Sequence, residues 1–263
     1  MMSLELPLGA LDHLPLVGVL LARAWGFFIA VPIFGTEAAP LTTRNGFALT
    51  VAMFVFPFAD ASDVPATSSA LTALLAWELG VGLMLGGAVR LLFAGLQLAG
   101  QLAGFGIGLS LAKVIDPSSD IEDSLGPVFY QFLGTVLFLV AGGHRAVLAV
   151  FLDSYQILPV GTGTFSGELV RVFVVMSNAI FGAGLRLAAP VAALLFFVDL
   201  VLSLASRVVP QIPILIVGMP AKTYLGLAAL GWGLSAFVEP CLAWLNQAPS
   251  LLTGILNVLA AGS

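Results

Sequence analysis

The sequence predicts an all-α integral membrane protein built of long, kinked helical hairpins. Of its 263 residues, 60% are hydrophobic and only 9% are charged, whereas a soluble domain has roughly 25% charged residues. Apolar stretches of helical length alternate with short breaks rich in glycine, proline and polar residues. Because so apolar a chain would aggregate in water, it belongs in lipid or deep inside an assembly.

The predicted elements follow from the apolar blocks in chain order. These blocks cover about residues 14–34, 45–59, 68–112, 124–160, 168–205 and 207–258. Since a spanning helix needs roughly 20 apolar residues, block 45–59 is short for a span, whereas 124–144 and 240–263 reach that length without a charge. Hydropathy alone would count six or more spans.

Single charges interrupt most of the other blocks. They are Arg23, Glu78, Arg90, Arg171, Arg186, Asp199 and Arg207. A charge in an apolar environment is costly unless it is paired, so this pattern favours helices packed against protein over a row of lipid-facing helices. Lysine and arginine are scattered singly, and the positive-inside rule therefore gives no orientation.

Composition and motifs also argue against several classes of function. The net charge of −5 comes without a basic run, which argues against nucleic-acid binding and against a polybasic lipid anchor. One cysteine, Cys241, and two histidines give no disulfide framework and no metal site. No Walker lysine, HExxH or supported catalytic triad is found, so we expect a protein that is not an enzyme and has no cofactor. Acids near the first residue argue against a removable signal peptide.

Residues 100–117 form the most informative segment, which we call the gate segment. Gly100, Gly104 and Gly108 recur every fourth residue and form a smooth strip that another backbone can approach. Gly106 loosens the helix, and Pro117 ends it. A bendable segment inside a membrane protein must be buried in protein or line a water-filled path, and this makes 100–117 the first candidate for a gate.

Two polar stripes flank this candidate along the chain. Gln97, Gln101, Gly104 and Gly108 all lie within about 40° of Arg90 on one helix face. They predict either a face turned to a hydrated channel or a helix interface held by amides, and the two interpretations are compatible.

The second stripe starts at Asp199, with Arg207 about 80° around the helix. We interpret Asp199 as one member of a buried pair with an arginine, in preference to a proton relay. Glu78 is likewise interpreted as a polar anchor at an interface, in preference to a catalytic acid.

Four segments of the chain carry distinctive motifs. The first, 23–49, has an arginine and a proline before a turn. The second, 77–117, joins a glutamate–glycine helix to a small-residue run that ends in Asp-Pro. The third, 137–161, has a Gly-His turn and closes on Leu-Pro-Val-Gly. The fourth, 185–227, contains Ala-Pro, Ser-Arg, Pro-Gln and Gly-x-Pro-x-Lys. In this order, the four segments resemble the FliR/SctT family of type III protein export gates.

This resemblance implies a single-copy subunit of a helical hetero-oligomer, with FliP-like hairpins over about 1–180 and a FliQ-like hairpin over about 181–263. The implied partners are FliP, FliQ, an FlhB-like protein and unfolded exported substrates, in the bacterial inner membrane at the flagellar basal body. Its implied plug covers 104–117. The plug residues are Gly104, Gly106, Gly108, Leu109, Leu111, Val114, Ile115, Asp116 and Pro117.

The sequence also departs from this family. Pro213 stands where an asparagine is common, and Lys113, Val114 and Ile115 replace aromatic residues before Asp116. The glycine turn at 142–143 favours the flagellar branch over the virulence injectisome branch. Two alternatives remain: a proton-coupled small-solute transporter that uses Glu78, Arg90 and Asp199, and a scaffold that lines no channel.

Overall fold

The fold of the described chain is entirely helical. The computed structural model describes residues 13–35, 40–59, 65, 67–107, 125–208 and 214–261, and no strand occurs among them. In chain order the helices are α1 (Leu14–Ala30), α2 (Pro32–Gly35), α3 (Leu41–Val55), α4 (Ser68–Ile107), α5 (Leu125–Val140), α6 (Gly143–Ile157), α7 (Gly167–Val208), α8 (Ile214–Trp232), α9 (Leu234–Leu245) and α10 (Ala248–Ala260). The predicted all-α fold class is confirmed.

The two longest helices both contain charged residues. Ser68–Ile107 and Gly167–Val208 have 40 and 42 residues and are apolar enough to cross a membrane. The charge-free stretches around 124–144 and 240–263 fall instead in two helix pairs that are each bent at a short break. In the described part of the chain, two to four spans therefore fit the length and composition of the helices, fewer than hydropathy alone predicts.

Glycine explains the best-defined break. Gly142 has φ +74°, a conformation that disfavours side chains, and it separates α5 from α6 as the Gly-Gly-His turn predicts. Breaks at Gly233 and at 246–247 divide block 207–258 further, which the apolar pattern did not predict. The break predicted at 113–123 lies outside the described residues.

The chain divides into two compact units that alternate along the sequence. The first contains residues 1–90, 144–174 and 248–263, and the second contains 91–143 and 175–247. The boundary that the family resemblance implies, near residue 180, lies within α7. The division into FliP-like and FliQ-like hairpins stays a prediction.

Glycines bring α1 and α4 into backbone contact in the first unit. A Cβ on Gly26 would lie 2.5 Å from the carbonyl oxygen of Leu79, and one on Gly82 would lie 2.9 Å from the backbone nitrogen of Phe27. A Cβ on Gly86 would lie 2.6 Å from the carbonyl oxygen of Phe27. Only residues without a side chain allow this separation, so the Gly82–x₃–Gly86 spacing sets the helix crossing.

The second unit has a similar close contact between α4 and α5. A Cβ on Gly100 would lie 2.5 Å from the Cα of Pro127 and 2.6 Å from the carbonyl oxygen of Gly126. Gly126 in turn faces Gly104, whose Cα would be 3.1 Å from a Cβ there. The predicted glycine strip therefore meets another backbone as expected, at Gly100 and Gly104.

Candidate functional site

A fully buried ion pair lies at the centre of the first unit. Arg23 on α1 and Glu78 on α4 are both 0% exposed, and the Arg23 Nε donates to the Glu78 Oε2 at 2.5 Å. Glu78 lies one turn before Gly82, where the two helices are in backbone contact. The glycine crossing therefore brings the two charges together and excludes water from them.

Of the other two guanidinium nitrogens of Arg23, Nη1 is held by α6 and by the residue that follows it, and Nη2 has no hydrogen-bond partner among the described residues. Its Nη1 donates to the carbonyl oxygens of Ser154 at 3.1 Å and Leu158 at 2.9 Å. Its Cζ lies 4.5 Å from the ring centroid of Tyr155, whose hydroxyl donates to the carbonyl oxygen of Leu20 at 3.0 Å. A charge-assisted bond, two carbonyl acceptors and a cation–π contact thus offset much of the cost of burying the charge.

The second oxygen of Glu78 holds the loop after α6. The Gly161 N–H donates to the Glu78 Oε1 at 2.9 Å, and Gly161 has φ +77°, so a residue with a side chain would strain this turn. Next along the loop, the carbonyl oxygen of Thr162 accepts a bond of 3.1 Å from the Trp77 Nε1. Glu78 and its neighbour Trp77 therefore both hold this loop against α4.

These contacts occupy the whole carboxylate of Glu78. Both of its carboxylate oxygens accept hydrogen bonds, and no part of the side chain is exposed. A proton relay needs a group that exchanges protons with water or with another titratable group along a path. Among the described residues, no such path reaches the Glu78 carboxylate. The anchor role of Glu78 stays a prediction, and its ion-pair partner is Arg23, which the sequence marked as charged without assigning it to Glu78.

The last two residues of α4, Gly106 and Ile107, are held by α7 and α8. The Thr223 Oγ1 donates to the carbonyl oxygen of Ile107 at 3.4 Å, and a Cβ on Gly226 would lie 2.5 Å from the Ile107 Cγ1. A Cβ on Gly106 would lie 2.7 Å from the Leu195 Cδ1. In the structure Gly106 continues the helix and makes room for Leu195.

The first predicted stripe is divided between exposed and buried positions. Arg90, Gln97 and Gln101 are exposed within this chain, whereas Gly104 is buried against α5. The Gln97 Nε2 donates to the Gln131 Oε1 at 2.8 Å, which is the amide-held helix interface that the sequence predicted as one alternative.

The prediction that Asp199 pairs with an arginine is wrong. Asp199 on α7 pairs with Lys222 on α8, not with an arginine, and Arg207 is exposed. The lysine belongs to the Gly-x-Pro-x-Lys motif, but nothing in the sequence spacing places it beside Asp199. A turn of α8 containing Lys222, Thr223 and Gly226 thus contacts both α7 and the end of α4.

The remaining plug residues lie outside the described residues. They are Gly108, Leu109, Leu111, Val114, Ile115, Asp116 and Pro117.

A cavity of about 490 Å³ lies between α3 and α6 in the first unit, and aromatic and aliphatic side chains line it together with Asp153 and Gln156. It is not lined by Glu78 or Arg90, the two residues of this unit that the transporter alternative would use.

Long apolar helices that cross through glycine contacts and enclose a buried ion pair define an all-α membrane protein. The chain belongs to the family of bacterial export proteins, family 1, whose model matches residues 14–248. This confirms the family predicted from the four sequence segments.

Curated relatives are similar over most of their length. The flagellar biosynthetic protein FliR of Bacillus subtilis is 32% identical over 81% of this chain and 83% of its own. FliR of Escherichia coli is 26% identical over 91% of this chain and 92% of its own. FliR of Caulobacter vibrioides is 28% identical over 88% of this chain and 92% of its own.

Proposed function

We propose that this chain is a subunit of the flagellar type III protein export gate in the bacterial inner membrane, at the flagellar basal body. The observation that carries the proposal is the family match over residues 14–248, together with relatives named flagellar biosynthetic proteins along nearly their whole length. Two helices of spanning length and composition are consistent with a membrane location.

Within the gate, the segment 104–117 is the plug that closes the resting channel. The support is the way its first residues are mounted: Gly104 packs on α5, Gly106 on α7, and Ile107 on α8. A plug needs a fixed base so that its far end can move without disturbing the subunit, and three helices around the last turn of α4 provide one. Aliphatic side chains at 109–115 can seal a constriction by excluding water.

The proposed partners are FliP, FliQ and an FlhB-like protein, and the cargo consists of unfolded flagellar subunits. The chain itself performs no chemical step in this proposal. Its contribution is a channel wall and a movable seal, and the buried pair of Arg23 and Glu78 holds α1, α4 and α6 together in the first unit.

The first experiment is a clean in-frame deletion, scored for swimming and for hook and filament subunits in the medium. Loss of both, restored by the gene in trans, is expected. Intact flagellar secretion with loss of another exported set would move the chain to the injectisome branch. Normal secretion of every protein would refute the export function and favour the solute transporter.

A second experiment tests the plug. Deletion of residues 109–115 is expected to make the membrane leak ions or small solutes, and a tight membrane in a strain that still assembles the gate would refute the assignment. The control is Gly87→Ala, at a position where a Cβ would meet no atom within 4 Å, and it should leave the membrane tight.

The predicted hinge at Gly106 has its own test. Gly106→Ala is expected to reduce secretion. If stiffening of a hinge is the cause, a smaller residue at Leu195 will not restore secretion; if contact with the Leu195 Cδ1 at 2.7 Å is the cause, Leu195→Ala will restore it. The comparison separates a moving part from a packing contact.

A further inference from the structure

Arg186 is an exposed charge in the middle of the longest helix. It lies in α7, which has 42 residues and the highest mean hydropathy, 2.3, of the described spanning helices. A membrane span needs about 20 residues, and every segment of that length in α7 contains Arg186 unless it begins after Arg186. A segment that begins after Arg186 contains Asp199 instead. Asp199 is paired with Lys222, whereas no described residue forms an ion pair or hydrogen bond with Arg186.

The opposite face of α7 already packs inside its own unit. Its buried residues are Ala183, Leu187, Ala188, Val191 and Leu195. Gly184 on this face would bring a Cβ to 2.7 Å from the Leu98 Cδ2 of α4. The face that carries Arg186 is therefore turned away from the unit. If α7 rotated to bury this face, the face that is now buried would become exposed.

Small side chains surround Arg186 on the exposed face. Asn178, Gly182, Ala189 and Ala193 are all exposed and lie within about 80° of one another around the helix, with Arg186 among them. A Cβ on Gly182 would meet no atom within 4 Å. Larger apolar side chains lie along the same helix and are also exposed; they include Phe181, Leu185, Phe196 and Phe197.

Lipid is a poor neighbour for this face. A guanidinium has five N–H donors and hydrocarbon offers no acceptor, so an arginine within a membrane-spanning segment needs protein or water around it. Small residues at one-turn intervals let another helix approach closely. A planar guanidinium matches a carboxylate through two parallel bonds.

We infer that this face of α7, from Asn178 to Ala193, docks a membrane-spanning helix of a different protein chain that carries an aspartate or glutamate at the level of Arg186. The inference rests on the proposed function, because it treats α7 as part of a multi-chain membrane assembly. Among the described residues, the exposed carboxylates of a second copy are Asp153, Glu168 and Glu239, and none of them lies on the face from Asn178 to Ala193. A contact between Arg186 and any of them joins two different surfaces and continues from copy to copy, which does not suit the single-copy subunit that the family resemblance implies.

The test uses the full-length chain in the native assembly. Arg186→Glu is expected to lower the amount of this chain recovered in the detergent-extracted export complex by about tenfold or more, since it places two carboxylates together in a dry interface. Arg186→Lys keeps the charge and should retain most of the assembly. Arg171→Glu is the matched control: Arg171 is exposed near the start of the same helix, beside Glu168, and its reversal should leave assembly unchanged.

Two further results identify the occupant. Swimming revertants of the Arg186→Glu strain should carry an acidic-to-basic change in a spanning helix of another membrane protein of the apparatus. Independently, with Arg186 intact and Cys241 replaced by serine, cysteines at Gly182 or Ala189 should form a disulfide with a cysteine placed one turn from that acid.

Several outcomes would overturn the inference. These are wild-type assembly of Arg186→Glu, rescue by an acidic-to-basic change within this chain, disulfides only between two copies of this chain, or labelling of Arg186→Cys in the assembled complex by a membrane-impermeant maleimide, which would mean a hydrated path. If the deletion strain swims, the proposed function fails; if it does not swim but Arg186→Glu does, the docking inference alone fails.

Discussion

Removal of the Glu78 carboxylate should destabilise the first unit strongly. In Glu78→Ala, the Arg23 guanidinium keeps its charge at 0% exposure and loses its carboxylate, and the Gly161 N–H loses its acceptor. Breaking a buried pair by removing one partner costs about 3–5 kcal/mol. For a chain near this size about 2–4 °C accompanies each kcal/mol, so Tm should fall by about 6–20 °C.

The assay is thermal unfolding of the full-length chain in lipid nanodiscs, followed by tryptophan fluorescence. Trp77 is a suitable reporter because its Nε1 bonds to Thr162 in the loop that Glu78 also holds. The double variant Arg23→Met, Glu78→Met removes both charges and fills the space with apolar atoms. It should recover most of the lost stability, since apolar replacement of a whole buried pair is often neutral.

The reasoning has a clear point of failure. If Glu78→Ala loses less than about 1 kcal/mol, or if the double variant loses as much as the two single variants together, the charges are not coupled and the anchor assignment is refuted. Glu78→Gln provides the graded comparison. It retains an acceptor for the Gly161 N–H while it removes the charge, so its Tm should lie between those of wild type and Glu78→Ala.

Three other substitutions test the helix contacts. Gly82→Ala should sharply lower the level of the protein in membranes, because its Cβ would lie 2.9 Å from a backbone nitrogen of α1, whereas Gly87→Ala, with no atom within 4 Å of its Cβ, should accumulate normally on the same immunoblot. Lys222→Glu should lower secretion and the added change Asp199→Lys should restore it, because the swap re-forms the ion pair. Trp244→Phe should cost about 1 kcal/mol in thermal unfolding through loss of the bond to the Leu92 carbonyl oxygen.

The sequence determined the class of fold and the family. Composition alone requires burial in lipid or protein, and helices are the structures that satisfy their own backbone there. The glycine spacing at 100 and 104 predicted a close backbone contact, which occurs with Gly126. The ordered motifs from 23 to 227 predicted the export family, and the match over 14–248 confirms it.

Only the tertiary structure decided which charges meet. Five arginines in apolar blocks were candidate partners for Glu78 and Asp199, and sequence distance does not distinguish among them. Arg23 was selected because Gly26 and Gly82 let α1 approach α4, and Asp199 took Lys222 because α8 lies against α7.

The sequence cannot identify the partner of each charged residue, and the reason is physical. The cost of burying a charge is a local property that the sequence displays, so each charged residue is recognisable as one that needs a partner. The identity of the partner depends on contacts 55 residues apart for Arg23 and Glu78, and these are set by the crossing of helices. The buried face of α7, with Leu187, Val191 and Leu195, leaves Arg186 exposed on the opposite face, and no local pattern in the sequence could distinguish Arg186 from the buried Arg23.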